Sequence, residues 1–231
     1  MSHRVGVLLS GCGFLDGSEI HEAVLTMLHL DRAGAAIVCM APRGPTMHVV
    51  DHAAGEVKEG QSRDMLVEAA RIARGRIRDL ALVRTDDLDA MILPGGFGAA
   101  KNLCDFAVHG QKATAHPQVA TFLRQMHAAR KPIGAICIAP ALIANVLGQT
   151  AHPTLTIGND AGTKAALTAM GARHQDCAVT DCVIDGPNRI VSTPAYMYDA
   201  RIGEVAAGID KLVQAVLEMC RSGGKVREAA L

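Results

Sequence analysis

The chain has 231 residues, 49% of them apolar, which is enough for one substantial core and argues against disorder. Its 23 Lys and Arg balance 23 Asp and Glu, so no charge excess draws it to nucleic acid or to an anionic membrane. Trp is absent and aromatics are scarce, which leaves no platform for stacking bases.

The seven cysteines are odd in number, irregularly spaced and free of any C-x-x-C pair. That pattern speaks against structural zinc and for reduced thiols in the cytoplasm. No apolar stretch is long enough to span a bilayer, and the opening residues do not read as a secretory signal.

In chain order, apolar runs alternate with amphipathic segments. Residues 4–10 (RVGVLLS) predict the first central strand. Residues 18–34 predict a helix, with Ile20, Val24, Met27, Leu28 and Leu30 or Asp31 at helical spacing and Gly34 as its stop. A strand at 35–41, a helix at 63–75 and a strand entering the glycine turn at 89–96 follow. Residues 116–131 predict a helix with Pro117 in its first turn. A strand at 132–139 then leads into a helix at 140–148 that Gly148 closes. Residues 154–158 read as strand and about 161–170 as helix. Residues 177–194 read as two strands about the turn Asp185-Gly186-Pro187-Asn188. A final helix, about 198–221, sets Ile202, Val205, Ile209, Val216 and Cys220 on one face. Repeated strand–helix units predict a single α/β domain over 1–231, a parallel sheet with helices on both faces. Sites in such folds form outside the carboxyl ends of the strands. Three special turns fall there: SGCGFLDGSE, PGGFGAAKN and CIAPA.

Cys137 occupies the third of these turns. A thiol between a strand and a helix is lifted out of the sheet as a nucleophile elbow, and the helix N-terminus behind it favours the thiolate. A small buried hydrophobe would look the same in sequence. The adjacent glycines of PGGFG let peptide N–H groups approach a ligand, or simply make a tight turn. Glu19 opens the first helix, where a carboxylate can relay protons, cap the helix, or do both. Cys12 stands at the end of the first strand, as a second thiol at the site mouth or a small loop residue. No histidine falls at ligand spacing from another candidate, and no G-x-S-x-G is present. His109 and His116 are the imidazoles open to a water-activating role.

The stretches GVLLSGCGFLDGSEIHEAVLT, PGGFGAAKNL, CIAPA, TIGND, TPAYM and GIDKLV resemble the ElbB family of the ThiJ/PfpI, class I glutamine amidotransferase-like superfamily. The resemblance runs from near residue 5 to near residue 213. It implies a flavodoxin-like three-layer α/β sandwich with a mainly parallel sheet. It also implies Cys137 as nucleophile, Glu19 as its acidic partner, and Gly96 with the backbone of Ile138 as the oxyanion hole. The implied activity is a glutathione-independent glyoxalase that converts the 2-oxoaldehydes glyoxal or methylglyoxal to hydroxy acids, without cofactor or metal. The family further implies a homodimer, and a redox-sensing, chaperone-like or weak amidase or deglycase role is the alternative. One departure matters: related proteases carry histidine directly after the cysteine, where this chain has Ile138.

Overall fold

Residues 2–228 are described by the structure, a computed structural model, with side chains to residue 222. The elements in chain order are β1 (Arg4–Leu8), α1 (Ile20–Arg32), β2 (Ala36–Ala41), β3 (Val50–Asp51), β4 (Glu56–Val57) and α2 (Met65–Ile72). Next come β5 (Ile77–Asp79), β6 (Ala90–Leu93), α3 (Phe97–Lys101), α4 (Phe106–His109), α5 (Pro117–Ala128), β7 (Ile133–Ile136) and α6 (Ala139–Ala151). The chain ends with β8 (Thr154–Leu155), α7 (Ala161–Ala169), β9 (Arg173–His174), β10 (Val183–Asp185), β11 (Ile190–Thr193) and α8 (Ile202–Glu228).

Seven strands form the central sheet in the order β10-β11-β7-β6-β1-β2-β5. All neighbours run parallel except β10 and β11, which make an antiparallel edge hairpin. Side chains alternate between the two faces, and both faces are covered. Val5, Val7 and Leu9 pack toward α1, α2 and α8, while Leu8, Met91 and Leu93 pack toward α3, α5, α6 and α7. This is the three-layer α/β sandwich that the strand–helix alternation predicts. The residues of β1, β6 and β7 are buried but for Arg4, so their carboxyl ends form a rigid platform.

Several elements depart from the sequence reading. In α1 the stripe Ile20, Val24 and Leu28 is exposed, at 42%, 46% and 38%. The helix instead buries Glu22, Ala23, Thr26, His29 and Leu30. Helix α1 is thus turned so that a carboxylate, not an isoleucine, faces the sheet ends. Helix α6 runs on past Gly148 to Ala151; Gly148 is there because a Cβ would strike the Met170 carbonyl. Strand β8 pairs with β9 in a separate small sheet, and the first strand of the 177–194 hairpin begins only at Val183. Ile202 opens α8 half-exposed, while Val205, Ile209, Leu212, Val213 and Val216 are fully buried.

Candidate active site

Strand β7 ends at Ile136 and α6 begins at Ala139 with Pro140 in its first turn. Cys137 makes the corner. Its φ of 60° is a left-handed conformation that a residue with a Cβ adopts only under tertiary constraint, at a cost of about 1–3 kcal/mol. The constraint is visible: the Cys137 N–H donates to the Thr193 carbonyl of β11 at 2.9 Å, pinning the corner to the neighbouring strand. Cys137 is 7% exposed.

The two glycine-bearing turns converge on this corner. The Glu19 N–H donates to the Gly95 carbonyl at 3.0 Å, and the Gly98 N–H to the Gly17 carbonyl at 2.8 Å. Gly96 precedes α3 with φ 84°, and any Cβ there would collide with the backbone of Gly17 and Glu19. Gly95 is the close approach: a Cβ on it would lie 2.5 Å from Cys137 Cβ and 2.8 Å from Glu22 Oε2. With no side chains in the way, the N–H groups of Gly96 and Ile138 both favour the ionised Cys137 sulfur. These are the two donors that the resemblance assigned to an oxyanion.

The carboxylate beside the thiol is Glu22. Its side chain is completely buried, and it and Cys137 both crowd the space beside Gly95. Glu22 Oε2 accepts from the Gly95 N–H at 2.8 Å, and Oε1 from the Tyr196 N–H at 3.3 Å. Burial and the nearby charge of Glu19 lift its pKa from the ordinary 4.5 to about 8, so it holds a proton at neutral pH. Glu19, expected in this position, is the N-cap of α1 instead. Its Oε2 accepts from the Glu22 N–H at 2.6 Å, and its reach to the site is electrostatic. The two acids are three residues apart. The N-cap residue points back along the helix axis, while the residue three on joins the buried face with Ala23, Thr26 and Leu30.

Cys137 differs in another respect from the expected low-pKa thiolate. Burial raises its pKa well above the ordinary value, as does negative charge on Glu22; the Gly96 and Ile138 N–H groups oppose them. When Glu22 keeps its proton, its charge no longer opposes ionisation and the donors act on the sulfur unopposed by it. Both groups of the pair therefore hold their protons at neutral pH, and the elbow alone does not make the thiolate.

The histidine brought to this wall is His21, adjacent to Glu22. Its Nδ1 lies 2.9 Å from the Tyr196 hydroxyl. Tyr196 follows β11 and supplies the peptide N–H that holds Glu22. Sequence reasoning missed both residues, because only the fold brings positions 21 and 196 together. His109 is held by Asp105 at 3.1 Å on α4, and His116 precedes α5 with its N–H on the Leu103 carbonyl. Cys12 lies in the β1–α1 loop; burial first, then Glu68 of α2, raises its pKa, and its electrostatic neighbours are Glu68, Arg71, Asp16 and Arg63. Among the described residues no cluster of three or more His, Cys, Asp or Glu is placed to hold a metal, and no helix is long and apolar enough to cross a membrane.

A mainly parallel α/β sandwich with a cysteine elbow, a buried acid and converging peptide donors defines a class of proteins built round a reactive thiol. The chain belongs to the DJ-1/PfpI family, whose model matches residues 12–191. Over 225 residues it is 45% identical to the human "Glutamine amidotransferase-like class 1 domain-containing protein 3, mitochondrial", spanning 94% of this chain and 83% of that protein. It is 44% identical to the rat "ES1 protein homolog, mitochondrial", over 94% of this chain and 84% of that one. The solved isoprenoid biosynthesis protein with amidotransferase-like domain from Ehrlichia chaffeensis superposes with TM-score 0.87 at 38% identity, covering 93% of this chain and 99% of that one.

Proposed function

We propose that the protein is a glutathione-independent glyoxalase of the ElbB type, acting on glyoxal or methylglyoxal through Cys137. The observation that carries this reading is the fully buried Glu22, held by the Gly95 and Tyr196 N–H groups beside Cys137, where burial raises its pKa to about 8. Such a carboxyl serves as acid and as base in turn, which an aldehyde isomerisation requires.

In this reading Cys137 gives up its proton to solvent and its sulfur adds to the aldehyde carbon, and the N–H groups of Gly96 and Ile138 hold the resulting oxyanion. Glu22 gives its proton to that oxygen. As a carboxylate it then takes the hydrogen of the aldehyde carbon and returns it to the neighbouring carbon through an enediol, leaving a 2-hydroxy thioester. Water releases the hydroxy acid and frees the thiol. The sequence is redox-neutral and consumes no electron acceptor. Ile138 offers no base for water; His21, oriented by Tyr196 beside Glu22, is the imidazole available for the last step.

The seven thiols fit a reducing compartment. The cytoplasm meets that need and so does the mitochondrial matrix, and the names of the rat and human relatives favour the second.

The test is lactate or glycolate formation from methylglyoxal or glyoxal with no glutathione present. Wild type turns over and Cys137→Ala does not. Equal rates for the two would end the cysteine mechanism, and no turnover by folded, reduced wild type would leave Cys137 as a redox-responsive thiol.

A further inference from the structure

Cys177 and Cys182 take no part in the site. They flank a turn between β9 and β10. The chain reverses there through residues 178–181, closed by the Asp181 N–H on the Ala178 carbonyl at 3.0 Å. Such a turn brings residues 178 and 181 to within about 7 Å, and the two cysteines just outside it are neighbours, the charge of Cys177 acting on Cys182. In a regular hairpin they form a non-hydrogen-bonded pair with Cα atoms about 4.5 Å apart and side chains on one face. Their peptide groups fit this arrangement by bonding elsewhere: the Cys177 carbonyl accepts from the Tyr198 hydroxyl at 2.9 Å, and the Cys182 N–H donates to Asp181 Oδ1 at 2.9 Å. A disulfide requires Cα atoms about 4.4–6.8 Å apart. Both thiols are free and half-buried, and they are close enough for each to share Asp181 and Lys211 as electrostatic neighbours.

We propose that Cys177 and Cys182 are a dithiol pair that closes to a disulfide across this turn, with a small-molecule disulfide as the oxidant. One thiolate attacks a sulfur of the oxidant and expels its other half as a thiolate. The second protein thiol, losing its proton, attacks the mixed disulfide and expels the remaining half. Two electrons pass from the protein to the small molecule, which leaves as two thiols.

Burial and the charge of Asp181 push both thiols up to about 11, against the opposing ammonium of Lys211. Thiolates are therefore scarce at neutral pH and the first attack is slow. The same high pKa makes each sulfur a poor leaving group, so the closed disulfide resists reduction. The turn is tied to the elbow. The Thr193 hydroxyl donates to the Asp181 carbonyl at 2.7 Å, and the Thr193 carbonyl accepts the Cys137 N–H. Closure stiffens the segment that holds the corner in place.

Both cysteines lie on one tryptic peptide, residues 174–189, with no internal Lys or Arg. The full-length reduced protein is equilibrated with graded ratios of oxidised to reduced glutathione, blocked with iodoacetamide and digested. The expected result is that this peptide becomes two hydrogens lighter and unalkylated at both cysteines, and that dithiothreitol restores both alkylation sites. A peptide alkylated at both cysteines at every ratio would overturn the proposal. So would one that stops as a glutathione adduct or is found linked to another peptide.

Discussion

Glu19 and Glu22 show how much a single turn of helix decides. Both open α1, and both fit the chemistry of a carboxyl near a thiol. Only Glu22 is turned onto the sheet ends, where two peptide N–H groups hold it against Cys137. Replacing it with glutamine keeps the shape and removes the transferable proton. Glu22→Gln is expected to lower kcat by about 10²–10⁴-fold. Glu19→Gln still offers an oxygen to the helix end and is expected to cost about 1 kcal/mol or less in stability with kcat close to wild type. Steady-state rates of the two variants side by side separate the roles; the reverse ranking would return the catalytic part to Glu19. The signal in the sequence was the shared face of Glu22, Ala23, Thr26 and Leu30, but the apolar Ile20, Val24 and Leu28 outweighed it. Periodicity finds a helix; it does not say which stripe the fold will bury when both carry plausible letters.

The elements around the site meet at their ends, where β6 enters α3 and β7 enters α6. Contact there is backbone against side chain, with Gly95 filling none of the space that Cys137 and Glu22 occupy. Gly95→Ala puts a methyl 2.5 Å from Cys137 Cβ on rigid, buried neighbours. Overpacking of this kind costs about 1–3 kcal/mol, and here it displaces the reacting pair. The expected outcome is a folded protein with a lowered Tm and turnover reduced at least tenfold, measured by thermal denaturation and by the glyoxalase assay. Wild-type activity in this variant would show that the pair tolerates displacement. The adjacent glycines marked the turn in the sequence. That their reason was the approach of Cys137, from the following strand of the sheet, needed the parallel pairing of β6 with β7.

Over the whole molecule, the buried acid makes stability depend on pH. The folded chain holds the Glu22 proton up to about pH 8, while the unfolded chain releases it near 4.5. Between those values the folded state binds more protons, so this group's effect on stability falls as pH rises and levels off above 8, with a penalty of about 3 kcal/mol at pH 7. His116 and His174, whose pKa values burial lowers, act in the opposite sense below their ordinary 6.5. Comparison with Glu22→Gln removes their contribution. The variant is expected to gain on wild type progressively from pH 5 to pH 8 in urea unfolding, and a constant difference across that range would show that Glu22 is not held protonated.

Alternating apolar runs and amphipathic segments, a short-range property of the chain, were enough to show an α/β sandwich, and the glycines and Cys137 at strand ends marked the candidate site. Those features depend on local backbone preference and on hydrophobic period, which neighbouring residues set among themselves. The acid that joins the thiol, the pairing of His21 with Tyr196, the raised ionisation of Cys137 and the outward stripe of α1 depend on which surfaces meet after the sheet assembles. Burial and distance are the causes there, and both come from residues far apart in the chain.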